Sequence, residues 1–175
     1  MLFSKQSDYF TLGCREMARG RTHYLHASAL VKLVIPEDHA DKLRAYCGRA
    51  LLASTSLCFG EALGVLKGKW THNRLTQEEY LAACEELFAH VRNETLEIED
   101  SPIFSRASYD EIERLAQKHS IDISDALQLL TLRSGTYSKL EGTARASLVT
   151  ADRKLANAAK AEGMTAWDCV HDAAP

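Results

Sequence analysis

Three carboxylates sit where this chain should not tolerate them without a reason. Glu61 is the only charge in the run Leu57-Cys58-Phe59-Gly60-Glu61-Ala62-Leu63-Gly64-Val65-Leu66. So apolar a segment predicts a buried helix, and a buried carboxylate is costly unless it is paired or binds a cation. Asp125 opens the apolar run Asp125-Ala126-Leu127-Gln128-Leu129-Leu130, and Asp152 directly follows the strand-like Ser147-Leu148-Val149-Thr150. Acids held on separate elements and brought to one place can bind a divalent cation through oxygen. Each also has a plainer reading. Asp152 can N-cap a helix starting at Arg153, Asp125 can sit in a first turn that favours negative charge, and Glu61 can pair with an Arg or Lys.

The elements that must position these acids alternate between strand and helix from Thr22 onward. Strands are predicted at about 23–27, 51–54, 95–99, 148–150 and 164–167 from their short apolar or alternating patterns. Helices are predicted at 28–34, where Pro36 stops the run, at 37–49, around Glu61, at 76–91, 108–119, 124–132 and 153–162. Thr76 with Glu79 forms a capping-box pattern, Gly163 ends the last helix, and a loop spans 135–143. Strands separated by helices imply parallel pairing through right-handed crossovers. The expected fold class is therefore α/β, a three-layer α/β/α sandwich with a central parallel sheet of about five strands. Ligands of such sheets bind beyond the carboxyl ends of the strands. Ala27-Ser28 and Thr150 to Asp152 fall at strand carboxyl ends, and Glu61 and Asp125 lie near the starts of helices that point the same way.

The bulk properties narrow the class. The 175 residues suit one domain, read here as 22–175 behind an N-terminal extension at 1–21 that carries Lys5, Arg15, Arg19 and Arg21. Hydrophobic residues make up 46% and charged residues 26%, an ordinary globular composition. A net charge of −3 supplies no global basic field for a sequence-blind DNA binder, but it leaves room for an enzyme with an acidic, metal-holding pocket. Five scattered cysteines without a C-x-x-C pair predict a reduced chain with neither a disulfide framework nor a zinc knuckle. No stretch reaches transmembrane length and no secretory leader is evident, so the expected location is the cytoplasm, away from membranes. An α/β phosphatase is disfavoured, because no Asp-x-Asp pair follows the first strand and no Gly-rich phosphate loop is present.

Four segments, in order, carry a resemblance. Tyr24-Leu25-His26-Ala27-Ser28-Ala29-Leu30-Val31-Lys32, Thr55-Ser56-Leu57 running to Glu61, Ser124-Asp125-Ala126-Leu127, and Val149-Thr150-Ala151-Asp152-Arg153 together resemble a PIN domain. The match runs from about Tyr24 to Trp167. The family includes the ribonuclease toxins of bacterial toxin–antitoxin pairs. The resemblance implies a parallel-sheet α/β/α fold and a cluster of acids that binds Mg²⁺ or Mn²⁺ to hydrolyse RNA phosphodiester bonds. It also implies RNA as substrate, an antitoxin protein as partner, and a homodimer. Glu61, Asp125 and Asp152 fall on three acidic positions of the family, as metal ligands and catalytic residues, and Ser28 falls on the hydroxyl that follows the first acid; Thr150, at the end of its strand, is expected to support the site.

The first acid of the pattern is absent, and His26 stands in its place. Exchanging a carboxylate for an imidazole removes a negative charge and replaces oxygen by nitrogen, which favours Mn²⁺ or other transition metals over Mg²⁺. Two readings of His26 stay open, a metal ligand or a buried strand-end histidine. The alternative to an enzyme is a catalytically impaired module that binds RNA or protein. Asp122, three residues before Asp125, either joins the acids or N-caps the helix with Asp125 at N3. RNA contacts are expected from Lys67, Lys69 and Arg74 around Trp70, and from Arg153, with cations on phosphates and Trp70 either stacking on a base or anchoring the core. A second basic candidate is the loop with Arg133, Lys139 and Arg145. The acidic stretch 94–100 is expected to face away from RNA or towards a basic partner.

Overall fold

The computed structural model describes residues 22–48, 50–100, 105–142 and 145–175; the expectation of an extension at 1–21 lies outside the described residues. In chain order the elements are β1 (Thr22–Leu25), α1 (Ala27–Val34), α2 (Ala40–Cys47), β2 (Leu51–Thr55), α3 (Ser56–Thr71), α4 (Gln77–Arg92), β3 (Leu96–Glu99), α5 (Arg106–His119), α6 (Ile123–Ser134), a 3-10 turn (Thr136–Lys139), β4 (Ser147–Thr150), α7 (Arg153–Ala161) and β5 (Thr165–Asp168).

The five strands form one all-parallel sheet in the order β3-β2-β1-β4-β5. Side chains alternate across a strand, so each strand feeds both layers. Leu25, Leu52, Val149 and Trp167 face a core built with α1 to α4. Tyr24, Ala53 and Leu148 face a second core built with α5 to α7. This is the three-layer α/β/α sandwich predicted from the sequence. Strand order runs one way from β1 to β3 and the other way from β4 to β5. The carboxyl ends of β1 and β4 therefore flank the switch point at which such sheets open a crevice. Among the described residues, no helix is long and apolar enough to cross a membrane.

Two departures from the sequence reading bear on the site. The helix predicted at 37–49 begins only at Ala40, because His39 adopts a left-handed conformation with φ 67° and breaks the run. Glu37 is thereby left in a turn, where its carboxylate meets Lys32 at 2.8 Å and Lys69 at 2.9 Å. The α3 helix, expected to be buried all round, instead buries one stripe, Cys58, Ala62 and Leu66, while Leu57 and Val65 are exposed. Residues at i, i+4 and i+8 share a helix face, so the apolar run serves one inward stripe and an outward one.

Candidate metal and nucleic-acid site

The end of β1 is held firmly where His26 emerges. The carbonyl of Leu25 accepts hydrogen bonds from the Ser54 hydroxyl at 2.7 Å and the Gln128 amide at 3.3 Å. The His26 amide donates to the Val149 carbonyl at 3.0 Å, which ties β1 to β4 at that level. His26 is the N-cap of α1, yet its side chain makes no capping bond. The imidazole turns into the crevice instead. Its Nδ1 lies 2.9 Å from the Ser28 hydroxyl and 3.1 Å from that of Thr150, and its Nε2 lies 3.2 Å from Asp125 Oδ1. Ser28 and Thr150 are 3.2 Å apart, and Ser28 also accepts from the Ala151 amide. One imidazole thus joins the carboxyl ends of two strands to the first turn of α6.

The acids arrive from three helices. Asp122 N-caps α6, its Oδ1 accepting from the Asp125 amide at 2.8 Å and the Ser124 hydroxyl at 2.9 Å. The bond from the Asp125 amide holds its carboxyl below the usual range, against the opposing effect of burial. Asp125, only 8% exposed, stands at N3 of the helix that Asp122 caps. Asp152 caps α7, with Oδ1 accepting from the amides of Lys154 at 2.7 Å and Leu155 at 3.0 Å. The plainer reading of Asp152 is therefore correct as local structure, and the residue lines the crevice as well. Glu61 is partly exposed rather than buried, and no ion pair among the described residues includes it.

These groups line one open cavity of about 750 Å³ at the carboxyl end of the sheet. His26, Ser28, Glu61, Asp122, Asp125 and Asp152 all contribute to its wall, so the structure brings together the acids, the histidine and one of the two hydroxyls that the sequence singled out. Thr150 is fully buried just beneath, where its hydroxyl accepts from the Asp152 amide at 2.9 Å. Lys69, expected from the sequence as an RNA contact, forms a further part of the wall together with Lys32 and Glu37, which the sequence did not reveal. Burial opposes ionisation of Glu37, but hydrogen bonds from Lys32 and Lys69 outweigh it and hold the carboxyl low.

Cys58 also escaped the sequence reading. Cys58 lies one helical turn before Glu61 on α3, and the ligand atoms of His26, Cys58 and Glu61 all fall within 4.8 Å of one another. These three residues could hold a metal ion. The donor set decides what would fit. Carboxylate oxygens from Glu61, Asp125 and Asp152 suit a hard ion such as Mg²⁺, whereas imidazole and thiol suit softer ions. Cys58 is 1% exposed, and burial pushes its thiol up to about 11. The one signal in the sequence was its i, i+3 spacing to Glu61, which an apolar run conceals.

The proposed RNA contacts are less concentrated. Lys69 reaches the cavity wall, but Lys67 and Arg74 are exposed further along and beyond α3. Trp70 stacks on Tyr80 of α4 at 5.1 Å, and the Lys67 ammonium sits 3.8 Å from the centre of its ring. Trp70 is thus engaged in a half-buried stack with a cation–π contact added, and it belongs to neither of the two cores. Arg153 is mostly exposed and lies 3.8 Å from Asp168, beside His171. The alternative basic loop is elsewhere: Arg145 precedes β4, and Arg133 pairs with Glu111 and Glu162, so both stand at the amino end of the sheet. The acidic stretch is put to structural use, with Glu97 accepting from Tyr137 and Glu99 from Tyr24 and the Thr136 amide.

No family model matches the chain, and no curated protein sequence does. Among solved structures it is similar to that of PAE2754 from Pyrobaculum aerophilum, with 25% sequence identity, a TM-score of 0.54, and 83% of each chain covered.

Proposed function

We propose that this chain is a PIN-like, metal-dependent ribonuclease that hydrolyses RNA phosphodiester bonds at the cavity between β1 and β4. The observation that carries the reading is the convergence of Glu61, Asp125 and Asp152, with His26, Ser28 and Thr150, on one open hollow at the switch point of the sheet. In this reading Glu61, Asp125 and Asp152 hold Mg²⁺ or Mn²⁺, with His26 in place of a fourth acid. Such an ion neutralises the phosphodiester and lowers the pKa of a bound water.

The residues of the chain set the conditions for that chemistry. Ser28 and Thr150 fix the imidazole plane of His26 and keep its Nε2 towards Asp125. Asp152 is anchored through one oxygen by the α7 amides, which leaves the other for the cavity. Lys32 and Lys69 give the acidic hollow a cationic wall to meet a phosphate, and Glu37 holds both ammoniums in place. Lys67, Arg74 and Arg153 would extend phosphate contacts along a single strand.

The toxin role, with an antitoxin protein and a second copy of the chain as partners, belongs to the same proposal. The exposed Leu57 and Val65 of α3 and Leu81 and Phe88 of α4 give such partners apolar surface. The second reading, a module that binds RNA without cutting it, is favoured by one observation: Asp125 is already paired with His26. Incubating the purified chain with single-stranded RNA and Mg²⁺ or Mn²⁺ separates the two. Cleavage that depends on metal and on Asp152 supports the enzyme; binding without cleavage supports the module.

A further inference from the structure

The hollow carries donors of two chemical kinds, and they are not mixed at random. Asp125 and Asp152 come from α6 and α7 and offer only oxygen. Beside them His26, whose Nε2 meets Asp125 at 3.2 Å, offers nitrogen, with Cys58 sulfur and Glu61 oxygen, the three ligand atoms within 4.8 Å of each other. Cys58 and Glu61 are three residues apart on α3, so they project from neighbouring points of one helix face towards the end of β1. We propose that His26, Cys58 and Glu61 form a binding site for a borderline-soft divalent cation of the zinc class, selected against Mg²⁺ by the Cys58 thiolate. This deepens the ribonuclease reading by naming an ion for the same cavity, but it stands on binding chemistry and can hold where that reading fails.

Four features favour the assignment. Mg²⁺ takes oxygen ligands in near-octahedral geometry, and a thiolate with an imidazole is a poor offer to it. Zinc takes these three ligand types at bond lengths of roughly 2.0 to 2.3 Å, which in a tetrahedron sets ligand atoms about 3.5 Å apart. The cluster, with its ligand atoms within 4.8 Å, has to draw inward, and His26 has to exchange one of its contacts, with Asp125 at Nε2 or with Ser28 and Thr150 at Nδ1, for the ion. The Cys58 amide donates to the Thr55 side-chain oxygen at 3.0 Å, a cap that fixes the first turn of α3 and so the direction from which the thiol is presented. Finally, Cys58 is buried while His26 and Glu61 reach the cavity, so three protein ligands would close one side of an ion and leave the other open to the hollow. That is the layout of a zinc site with an exchangeable position rather than of a closed structural one.

A plainer account exists. A buried free cysteine is commonly a small apolar filler, and Cys58 does pack in the core beside Ala62 and Leu66. The two accounts differ in one measurable way, which is whether sulfur bonds to an added ion. Titrating the purified full chain with Co²⁺ should produce a thiolate-to-cobalt charge-transfer absorption in the near ultraviolet. Zn²⁺ should abolish that band stoichiometrically, and a large excess of Mg²⁺ should not. Cys58→Ser should remove the band and weaken Zn²⁺ binding by about 100-fold or more, and His26→Gln should weaken it similarly. Cys84→Ser, at a partly buried cysteine outside the cluster, should leave both unchanged. Circular dichroism and melting of Cys58→Ser and Cys58→Ala check the fold, so that a lost band with native spectra counts for the site. Co²⁺ binding without a sulfur band, or a Cys58→Ser chain with wild-type Zn²⁺ affinity, would overturn the proposal. The ribonuclease reading fails separately, if the chain binds Zn²⁺ through Cys58 but cleaves no RNA with any added metal.

Discussion

The two ends of the sheet use the same residue types to opposite effect. At the amino end, Glu162 is 9% exposed and gathers Lys118 at 2.7 Å, His119 at 2.7 Å, Arg114 at 3.2 Å and Arg133 at 3.6 Å. Hydrogen bonds from Lys118 and His119 hold its carboxyl down at about 2, and those from Arg114 and Arg133 do the same for Glu111. At the carboxyl end, Glu37, Glu61, Asp122, Asp125 and Asp152 line a cavity in which, among the described residues, Lys32 and Lys69 are the full cations, and both pair with Glu37. The strongest pKa perturbations among the acids therefore mark a stabilising knot, not a reactive site. Ion-pair networks perturb pKa as effectively as active sites do, and what distinguishes the carboxyl end, among the described residues, is that Glu61, Asp122, Asp125 and Asp152 have no Lys or Arg ion-pair partner.

The largest expected effect breaks the comparison on its functional side. Glu61→Gln should reduce metal-dependent RNA cleavage by about a hundred-fold or more while the chain melts at or above the wild-type temperature, since it removes repulsion and no ion pair. A collapse of the fold would place Glu61 with the stabilising acids instead. His26→Asp should sharpen the contrast further. It sets a carboxylate against Asp125 where an imidazole now pairs at 3.2 Å, so the metal-free chain should melt lower and gain more on adding Mg²⁺. Equal Mg²⁺ shifts in both chains would mean that position 26 does not touch the ion.

On the stabilising side, Gly135→Ala should cost about 1–3 kcal/mol by chemical denaturation. A Cβ there would run into the Glu99 carboxylate and come within 2.6 Å of the Thr131 carbonyl oxygen. A neutral result would show that the 3-10 turn can shift off the sheet edge. Glu162→Gln should cost about 1–2 kcal/mol at neutral pH. Its sign with pH is fixed by the depressed carboxyl: the contribution is present above the unfolded pKa of about 4.3 and is lost as pH falls towards about 2. Wild type and Glu162→Gln should therefore converge in stability across that acid window, and parallel curves would contradict the assignment. The smallest effect concerns RNA. Neutralising Lys67 and Arg74 should lower the salt slope of single-strand binding by about 1.4, the counterions of two phosphate contacts. An unchanged slope would confine those two cations to local packing.

How far the sequence reached depended on whether a feature is local. The elements, their parallel arrangement and the capping roles of Thr76, Asp122 and Asp152 were legible, because caps and periodicity are written within a few residues. The convergence of Glu61, Asp125 and Asp152 was legible through the rule that such sheets bind ligands at strand carboxyl ends. The Lys32–Glu37–Lys69 bridge was not, since it needs α1 packed on α3 and a helix start displaced by His39. The start of α2 missed for that same reason, a left-handed residue that no pattern announces. Cys58 was hidden because a cysteine in an apolar run reads as core, and only the approach of the β1 end gives it a partner. Glu61 was expected to be buried on the strength of hydrophobic neighbours, some of which turn out to face solvent.

One measurement bears most directly on the claim that the carboxyl-end hollow is a metal-dependent ribonuclease site. Asp152→Asn keeps an N-cap residue on α7, so the fold should be preserved while one cation ligand is weakened. Cleavage of a labelled single-stranded RNA should be compared for wild type and this variant, each with chelator, Mg²⁺ and Mn²⁺. The account predicts that wild type cleaves only with added metal, more with Mn²⁺ than with Mg²⁺, and that Asp152→Asn loses cleavage at unchanged melting temperature. Cleavage that survives chelator, or that is equal in both chains, would contradict it.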